Sequence, residues 1–253
     1  LHELNGNRRN NIVIPGPDGG ASVWIDPQAS PEERYRSQAK GYPGWPDPEK
    51  RKPEEFRRYA SPDGIRWKRM PVELKGDMDT QSICFWDEHP GRYVLYTRKW
   101  IRFDNPAKSY RAVRRLESDD LVQWEHDQIV LQADESDSQV RKTPTGQPPI
   151  DYYGAAVFHY PSDQGPYLLL GQRFLHWQTL PEEQRWGRSG DPNKAMIERL
   201  GPGTFDVRLF WSRDGIQFYP VGDQRPFLSP GPDGSFDSRM IWIMPNPIPM
   251  GDE

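Results

Sequence analysis

The sequence predicts an all-β fold, a β-propeller built from four-stranded antiparallel blades. A short motif occurs at residues 61–67, 118–124 and 212–218. It consists of Ser-x-Asp and an aromatic residue four positions after the aspartate. Upstream of each copy, two apolar segments flank a turn rich in proline, glycine or acidic residues, which is typical of a β-hairpin. One motif per group of strands indicates a repeated unit, as in a propeller. A β-sandwich is the alternative, but it gives no reason to repeat a motif at one topological position.

The composition fits many short strands joined by turns. The chain of 253 residues contains 22 glycines and 27 prolines, and aromatic residues make up 12%. Its net charge of −4 gives no indication of a nucleic-acid partner. Its one cysteine, Cys84, excludes an internal disulfide and lies in the apolar run "SICFW", where a buried inert thiol is expected. No run of about 18 apolar residues is present, so no membrane span is predicted.

The repeats divide the chain into units of one propeller domain. We expect three complete blades, at residues 21–76, 77–134 and 135–235. Residues 1–20 are expected to form the trailing strand of a preceding blade, and residues 236–253 the first strand of a further blade. The fourth strands of the complete blades are predicted at residues 70–74, 128–132 and 225–229. The third blade carries an insertion at residues 174–205, between its second and third strands. Three complete units cannot close a ring, so we expect about five blades in the intact protein.

The repeated motif is expected to form the turn between the third and fourth strands of each blade. Serine and aspartate accept backbone N–H bonds in turns, glycine permits positive φ, and the aromatic ring packs between blades. Asp63, Asp120 and Asp214 are therefore predicted to be structural, on the face opposite the functional site. The same interpretation applies to residues at turns between first and second strands, which are Asp26, Asp87, Glu88 and His159.

Three aspartates are the candidate catalytic residues, because each stands at or just before the first strand of a blade. They are Asp79, Asp151 and Asp237. The first strands of a propeller line its central channel, so these side chains are expected to surround one pocket. Carboxylates held together shift each other's pKa values, which separates acid and base roles. Aspartate is also common in ordinary turns, and a purely structural role stays open.

The second strands end at the same face and deliver basic and aromatic side chains. The candidate substrate-binding residues are Arg98, Trp100, Arg173, His176, Trp177 and Arg239. Aromatic rings offer surfaces for stacking on a sugar, and arginine binds hydroxyl or acidic groups. Alternatively, the arginines neutralise the aspartates and the tryptophans pack between blades. The insertion adds Trp186 and three candidate general acids, Glu182, Glu183 and Glu198.

The segments "SPDGIRW", "DTQSICFWDE", "RLESDDLVQWE" and "GSFDSRMI" together resemble the five-bladed propellers of glycoside hydrolase families 32 and 43. The resemblance covers nearly the whole chain. Those families place an aspartate base or nucleophile, a second aspartate and a glutamate acid at the starts of inner strands. If the protein is such a hydrolase, Asp79 is the first choice for base or nucleophile, because it stands in the middle of the three complete units and has Asp77 as a close neighbour. Asp237 is the choice for orienting substrate or tuning a pKa. No inner strand here starts with glutamate.

The resemblance implies a carbohydrate-active hydrolase that cleaves a glycosidic bond in an oligo- or polysaccharide. A non-catalytic propeller that binds a glycan or a protein through the same face is the alternative, and a divergent sugar enzyme such as a lyase is a third. Two carboxyl groups about 5–10 Å apart in an open pocket would favour the hydrolase. Aspartates locked in salt bridges would favour the binding protein.

No cofactor is predicted, although a structural calcium ion in the channel stays open. The resemblance implies a secreted or periplasmic protein, and no signal peptide is visible in this sequence.

Overall fold

The structure is a computed structural model that describes residues 3, 6–14, 18–41, 55–74, 78, 81–102, 110–134, 137, 150–160, 165–176, 203–223, 225–244, 247–248 and 250. Within these residues the chain forms twelve β-strands and one 3-10 helix, Pro31–Glu33. The strands are β1 (Asp18–Ile25), β2 (Tyr35–Gly41), β3 (Glu55–Ser61), β4 (Lys68–Met70), β5 (Ile83–Asp87), β6 (Arg92–Ile101), β7 (Tyr110–Ser118), β8 (Glu125–Leu131), β9 (Ile150–His159), β10 (Tyr167–His176), β11 (Gly203–Ser212) and β12 (Tyr219–Pro220).

The strands form three four-stranded sheets in chain order, β1 to β4, β5 to β8 and β9 to β12. The pairing is antiparallel, with equivalent registers in the first and third sheets, where Tyr35 faces Ser61 and Tyr167 faces Ser212. Three consecutive meanders do not match a two-sheet sandwich. The predicted all-β fold of repeated four-stranded antiparallel units is confirmed. The number of blades in the ring stays a prediction.

The two middle strands of the second sheet, β6 and β7, are buried on both faces. Six consecutive residues are buried in β6 and six in β7. Because successive side chains on a strand point to opposite faces, such runs require a covering layer on each side of the sheet. The buried run of β7 includes Arg111, Arg114 and Arg115, and buried guanidinium groups need charged or polar partners.

The Ser-x-Asp motif forms the turn between the third and fourth strands of each sheet, as predicted. In the third sheet, Ser212 Oγ accepts hydrogen bonds from the backbone N–H groups of Asp214 (3.2 Å) and Gly215 (3.0 Å). Asp214 Oδ1 accepts from those of Ile216 (2.8 Å) and Gln217 (2.9 Å). The same set of bonds recurs in the other two turns. The motif therefore closes a backbone turn in every sheet.

The residue after the motif aspartate adopts a left-handed backbone conformation in all three turns. Glycine fills this position in two of them, with φ of 73° at Gly64 and 70° at Gly215, whereas the third has Leu121 at 61°. This conformation is unfavourable for residues with a Cβ atom. Leu121 is buried in a hydrophobic cluster with Leu116 and others, and Trp124 packs against that cluster. Burial of its side chain offsets the backbone cost.

All three fourth strands begin earlier than predicted. β4, β8 and β12 begin directly after the motif aromatic, at Lys68, Glu125 and Tyr219, rather than at residues 70, 128 and 225. The turn itself returns the chain to the sheet, so pairing starts as soon as the turn ends. In the third sheet the chain then leaves and rejoins β11, where Leu228 pairs with Val207.

The two predicted single strands also differ from what is observed. Residues 11–14 and 239–244 have no strand structure, and β1 already begins at Asp18. The segment at residues 239–244 does meet β11, because Phe205 N–H donates to Arg239 O at 3.1 Å.

The chain divides into two compact units. The first comprises residues 1–98 and 114–128, and the second comprises residues 99–113 and 129–253. The first unit contains a hydrophobic core of residues from the first two sheets and the segment between them, namely Trp24, Phe56, Met78, Cys84, Tyr93, Leu95, Leu116 and Leu121. The buried Cys84 thiol has a raised pKa, chiefly because of desolvation, as expected for an inert cysteine.

We predict that Ser212→Ala lowers the free energy of unfolding by about 1–2 kcal/mol, because two backbone N–H groups lose their acceptor. Chemical denaturation followed by tryptophan fluorescence measures the change. Ser30→Ala is the matched control, since Ser30 is exposed and its side chain caps no helix N–H. Equal stability of the two variants would contradict a structural role for the motif.

We predict that the turn carboxylate of Asp120 makes stability depend on pH. Backbone N–H bonds from Gln123 and Val122 lower its pKa. Its contribution is therefore fully present above the unfolded pKa of about 3.9 and is lost as the pH falls through the lower folded value. The difference in unfolding temperature between the native chain and Asp120→Asn should be constant above about pH 5. It should shrink as the pH falls below about 4. A difference that persists in acid, or one equal to that of the exposed control Glu88→Gln, would disprove this.

Candidate functional site

Asp151, one of the three candidate catalytic residues, forms a buried ion pair at the start of β9. Its Oδ2 atom accepts a hydrogen bond from Arg111 Nε at 2.6 Å, and the residues are 2% and 4% exposed. Arg111 lies on β7, so the pair joins the second sheet to the third. Burial, and then the negative charge of Asp151, raise the pKa of the neighbouring Tyr110.

Three aromatic rings surround the guanidinium group of Arg111. The ring centroids of Trp100, Tyr153 and Phe174 lie 5.3, 4.5 and 5.2 Å from its Cζ atom. These distances are those of cation–π contacts. Trp100 and Tyr153 are half-buried, so the edge of this group reaches the surface. We call Trp100, Arg111, Asp151, Tyr153 and Phe174 the Arg111 cluster.

Two further aromatic residues extend the Arg111 cluster. Phe205 on β11 lies 4.7 Å from Phe174 and 5.3 Å from Tyr153, measured between ring centroids. Trp242 packs against Tyr153 at 5.6 Å and against Phe205 at 5.7 Å, and it is 42% exposed. The segment after the third sheet thus adds an accessible indole to the cluster.

Arg173, a candidate substrate-binding residue, belongs to a different group of charges. It forms a bidentate pair with Asp206, at 2.8 and 2.7 Å, and its Nη1 atom lies 3.8 Å from Asp137 Oδ1. Arg208 Nη1 and Tyr152 Oη lie 3.5 and 3.4 Å from the same Asp137 oxygen. We call these five buried residues the Asp137 cluster.

The Asp137 carboxyl has a pKa above its usual range. Desolvation by burial is the largest cause, while the backbone of Asp134 and the charges of Arg208 and Arg173 act in the opposite direction. Burial likewise raises the pKa of Tyr152. Carboxylates of the cluster thus neutralise its arginines. For Arg173, this structural role was the alternative to sugar binding that the sequence left open.

Solved structures share this architecture at low sequence identity. An N-acetylgalactosamine deacetylase from F. plautii, in complex with blood group B trisaccharide, matches with a TM-score of 0.50 and 15% identity, over 92% of this chain and 76% of its own. A structure named glycoside hydrolase matches with a TM-score of 0.52 and 10% identity, over 87% and 59%. A complex of BT0996 with RGII matches with a TM-score of 0.52 and 13% identity, over 88% and 62%.

The chain has a glycoside-hydrolase-like propeller fold. The predicted resemblance to glycoside hydrolase propellers is confirmed at the level of the fold. At these identities the likeness concerns the fold alone. The chain spans about six-tenths of the length of two of these three structures. No protein-family model matches it, and no curated protein sequence is significantly similar to it.

Asp237 and Arg239 of this propeller chain lie in the turn-rich segment that precedes Trp242. Asp237 Oδ1 accepts a hydrogen bond from Ser235 Oγ at 2.7 Å. Arg239 Nη2 lies 3.4 Å from Asp233 Oδ1 in an exposed ion pair. The Phe205 N–H to Arg239 O bond connects this segment to the extended aromatic group.

The structure brings together only some of the predicted site residues. Asp151 and Trp100 share the Arg111 cluster, whereas Arg98 is buried on β6 in the first unit. His176 is the last residue of β10. The remaining predicted residues lie outside the described ranges and stay predictions; they are Asp79, Trp177, Trp186, Glu182, Glu183 and Glu198.

Arg111, Tyr153, Asp137 and Trp242 were not predicted as site residues. Arg111 lies on a buried strand, and the strand pattern does not distinguish it from a structural residue. The only signal in the sequence is that a buried charge needs a partner. Asp137 comes before β9, the first strand of the third sheet. Asp151 was predicted as a site residue because it stands at the start of that same strand.

Among the described residues, no group of three or more His, Cys, Asp or Glu side chains is placed to hold a metal ion. The sequence left a structural calcium ion in the channel open, and it stays open. We also find no helix in the described part of the chain with the length and hydrophobicity needed to cross a membrane.

We predict that Arg111→Met lowers the free energy of unfolding by about 3–5 kcal/mol, because it leaves the buried Asp151 carboxylate without a partner. The double variant Arg111→Met/Asp151→Leu removes both charges and should recover most of this loss. Denaturant titration of the two variants gives both values. Arg239→Met, which breaks an exposed ion pair, is the control and should change stability by less than about 1 kcal/mol. A double variant no more stable than the single one would refute this account.

Proposed function

We propose that this chain is a carbohydrate-active propeller of the glycoside hydrolase kind, which binds an oligo- or polysaccharide at the Arg111 cluster. The observation that carries the proposal is the Asp151–Arg111 ion pair, 2.6 Å long, beside the rings of Trp100, Tyr153 and Phe174. Sugar rings present C–H faces, which stack on aromatic side chains, and hydroxyl groups, which bind charged groups. The Arg111 cluster offers both kinds of contact.

Partial exposure of the aromatic rings supports a binding role. Trp242, Trp100 and Tyr153 reach solvent, while Phe174 and Phe205 are buried beneath them. A ligand can therefore contact the outer rings without disrupting the inner ones. Rings held by packing lose little conformational freedom when a ligand binds, which favours affinity.

The proposed reaction is hydrolysis of a glycosidic bond, which requires one carboxyl group as acid and another as base or nucleophile. We assign the base or nucleophile role to Asp79, and substrate orientation or pKa tuning to Asp237. Asp151 already accepts a hydrogen bond from a guanidinium group, so it suits an orienting role better than that of the acid. The candidate acids are those of the insertion, Glu182, Glu183 and Glu198, or a residue outside this chain.

Glycan binding without cleavage is the second candidate function. Asp151 is engaged by Arg111, and Asp237 is engaged by Ser235. A carboxylate held in a buried ion pair is poorly placed to attack a sugar or to transfer a proton. This observation favours recognition over catalysis for Asp151 and leaves catalysis dependent on Asp79.

We predict that Asp79→Asn lowers the rate of glycoside hydrolysis by at least 10²–10⁴-fold, the range for loss of acid–base assistance, with ligand affinity retained. An activity screen against a glycan panel identifies the substrate, and steady-state kinetics on that substrate measures the loss. Asp223→Asn is the matched control, because Asp223 forms an exposed ion pair with Arg225. Its rate should stay within about twofold of the native chain.

The outcomes separate the two candidate functions. A loss below about tenfold in Asp79→Asn would reject Asp79 as a catalytic residue. Glycan binding without hydrolysis of any panel member would favour the non-catalytic propeller. Neither binding nor hydrolysis would reject both.

A further inference from the structure

Two buried polar groups near the start of β9 have hydrogen-bonding atoms that the described residues do not use. Gln172 is 0% exposed, and neither its Oε1 nor its Nε2 atom has a hydrogen-bond partner in the described part of the chain. Arg111 Nη2 is also buried and lacks a partner there. Unpaired buried polar atoms are uncommon in native proteins because each one loses its hydrogen bonds to water. Such atoms can instead be satisfied by a ligand.

Gln172 lies beside the Arg111 cluster. It precedes Phe174 by two residues on β10, so the two side chains project from the same face of the sheet. Across the sheet, Phe174 faces Asp151 on β9, and Gln172 faces Gly154 on β9 and Val207 on β11, so the amide meets no side chain on its β9 side. The register shifts here, so that Tyr153 is the extra residue of β9. The Gln172 amide therefore belongs to the same site as the arginine, the carboxylate and the aromatic rings.

We propose that the Arg111 cluster and Gln172 bind a sugar that carries an acetamido group. This inference rests on the proposed function, in which the cluster binds carbohydrate. The acetamido N–H donates to Gln172 Oε1, and the acetamido carbonyl accepts from Arg111 Nη2. The methyl group packs against the rings of Phe174 and Tyr153. One ligand group thus supplies a donor for Gln172 Oε1, an acceptor for Arg111 Nη2 and an apolar contact for the two rings.

Charge and hydrogen-bonding capacity favour this group over its alternatives. Arg111 and Asp151 already form a neutral pair, so a uronic acid carboxylate would bring an uncompensated charge into a buried site. An ionised carboxylate also has no hydrogen to donate to Gln172 Oε1. A hydroxyl group supplies the polar contacts but leaves the ring surfaces uncovered.

The first test uses the unaltered chain and pairs of probes. N,N′-diacetylchitobiose is compared with cellobiose and cellobiouronate, and N-acetyllactosamine is compared with lactose, by titration calorimetry. We expect at least one acetamido sugar to bind with a Kd at least about tenfold lower than that of its parent sugar, as two additional hydrogen bonds would produce. This comparison does not depend on the folding of any variant.

The second test removes the amide. Gln172→Leu should raise the Kd of the preferred acetamido sugar by about tenfold or more and change that of the parent sugar by less than about threefold. Gln38→Leu is the matched control, because Gln38 is equally buried but lies on β2 in the first unit. It should leave both Kd values unchanged. Thermal unfolding of each variant confirms that it is folded.

The outcomes distinguish this inference from the proposed function. Equal affinity for parent and acetamido sugars, tighter binding of cellobiouronate, or an unchanged preference in Gln172→Leu would overturn the acetamido assignment. In each of those cases sugar binding itself would stand, and with it the proposed function. Failure of all five probes to bind, while another member of the glycan panel binds, would likewise overturn only the acetamido assignment. Failure of the whole panel to bind would overturn both.

Discussion

A charge buried between sheets requires an opposite charge beside it, and this constraint governs the middle of the chain. Strand β7 is buried on both faces although it carries three arginines. Each arginine has a carboxylate partner, in the pairs Arg111–Asp151, Arg114–Asp127 and Arg115–Glu117. Breaking such a pair costs more free energy than replacing both partners by apolar residues, because the remaining charge cannot be solvated. The burial of β7 therefore depends on these three carboxylates, and the position of Asp151 at the start of β9 follows from its bond to Arg111.

The two clusters of the second unit use the same chemistry for different purposes. In the Asp137 cluster, two arginines, two aspartates and a tyrosine satisfy one another in a fully buried site, which anchors the segment before β9 to the third sheet. In the Arg111 cluster, one arginine is shared between a single carboxylate and three rings, and part of its hydrogen-bonding capacity is unused among the described residues. The first arrangement is complete in itself. The second leaves a surface and polar atoms available for recognition.

The sequence predicted the repeated elements better than it predicted the site. The Ser-x-Asp motif is local, and its hydrogen bonds join residues two or three positions apart, so the pattern alone locates Asp63, Asp120 and Asp214 in turns. The Arg111–Asp151 pair joins residues 40 positions apart, and strand alternation does not reveal which distant carboxylate a buried arginine meets. Arg173 was assigned to a pocket because its strand ends there, yet its side chain pairs with Asp206 on the neighbouring strand. The position of a strand end can thus be read from sequence, whereas the direction and partner of a long side chain cannot.

Leu121 shows that the three repeats are not interchangeable. Its equivalents Gly64 and Gly215 occupy the left-handed conformation at no steric cost, whereas Leu121 accepts that cost and contributes a buried side chain to the core of the first unit. An averaged repeat, designed by taking the commonest residue at each position, would place glycine here and leave a cavity in that core. The second repeat has therefore diverged by exchanging backbone freedom for packing. Any consensus propeller derived from this chain would need a compensating apolar residue from a neighbouring strand.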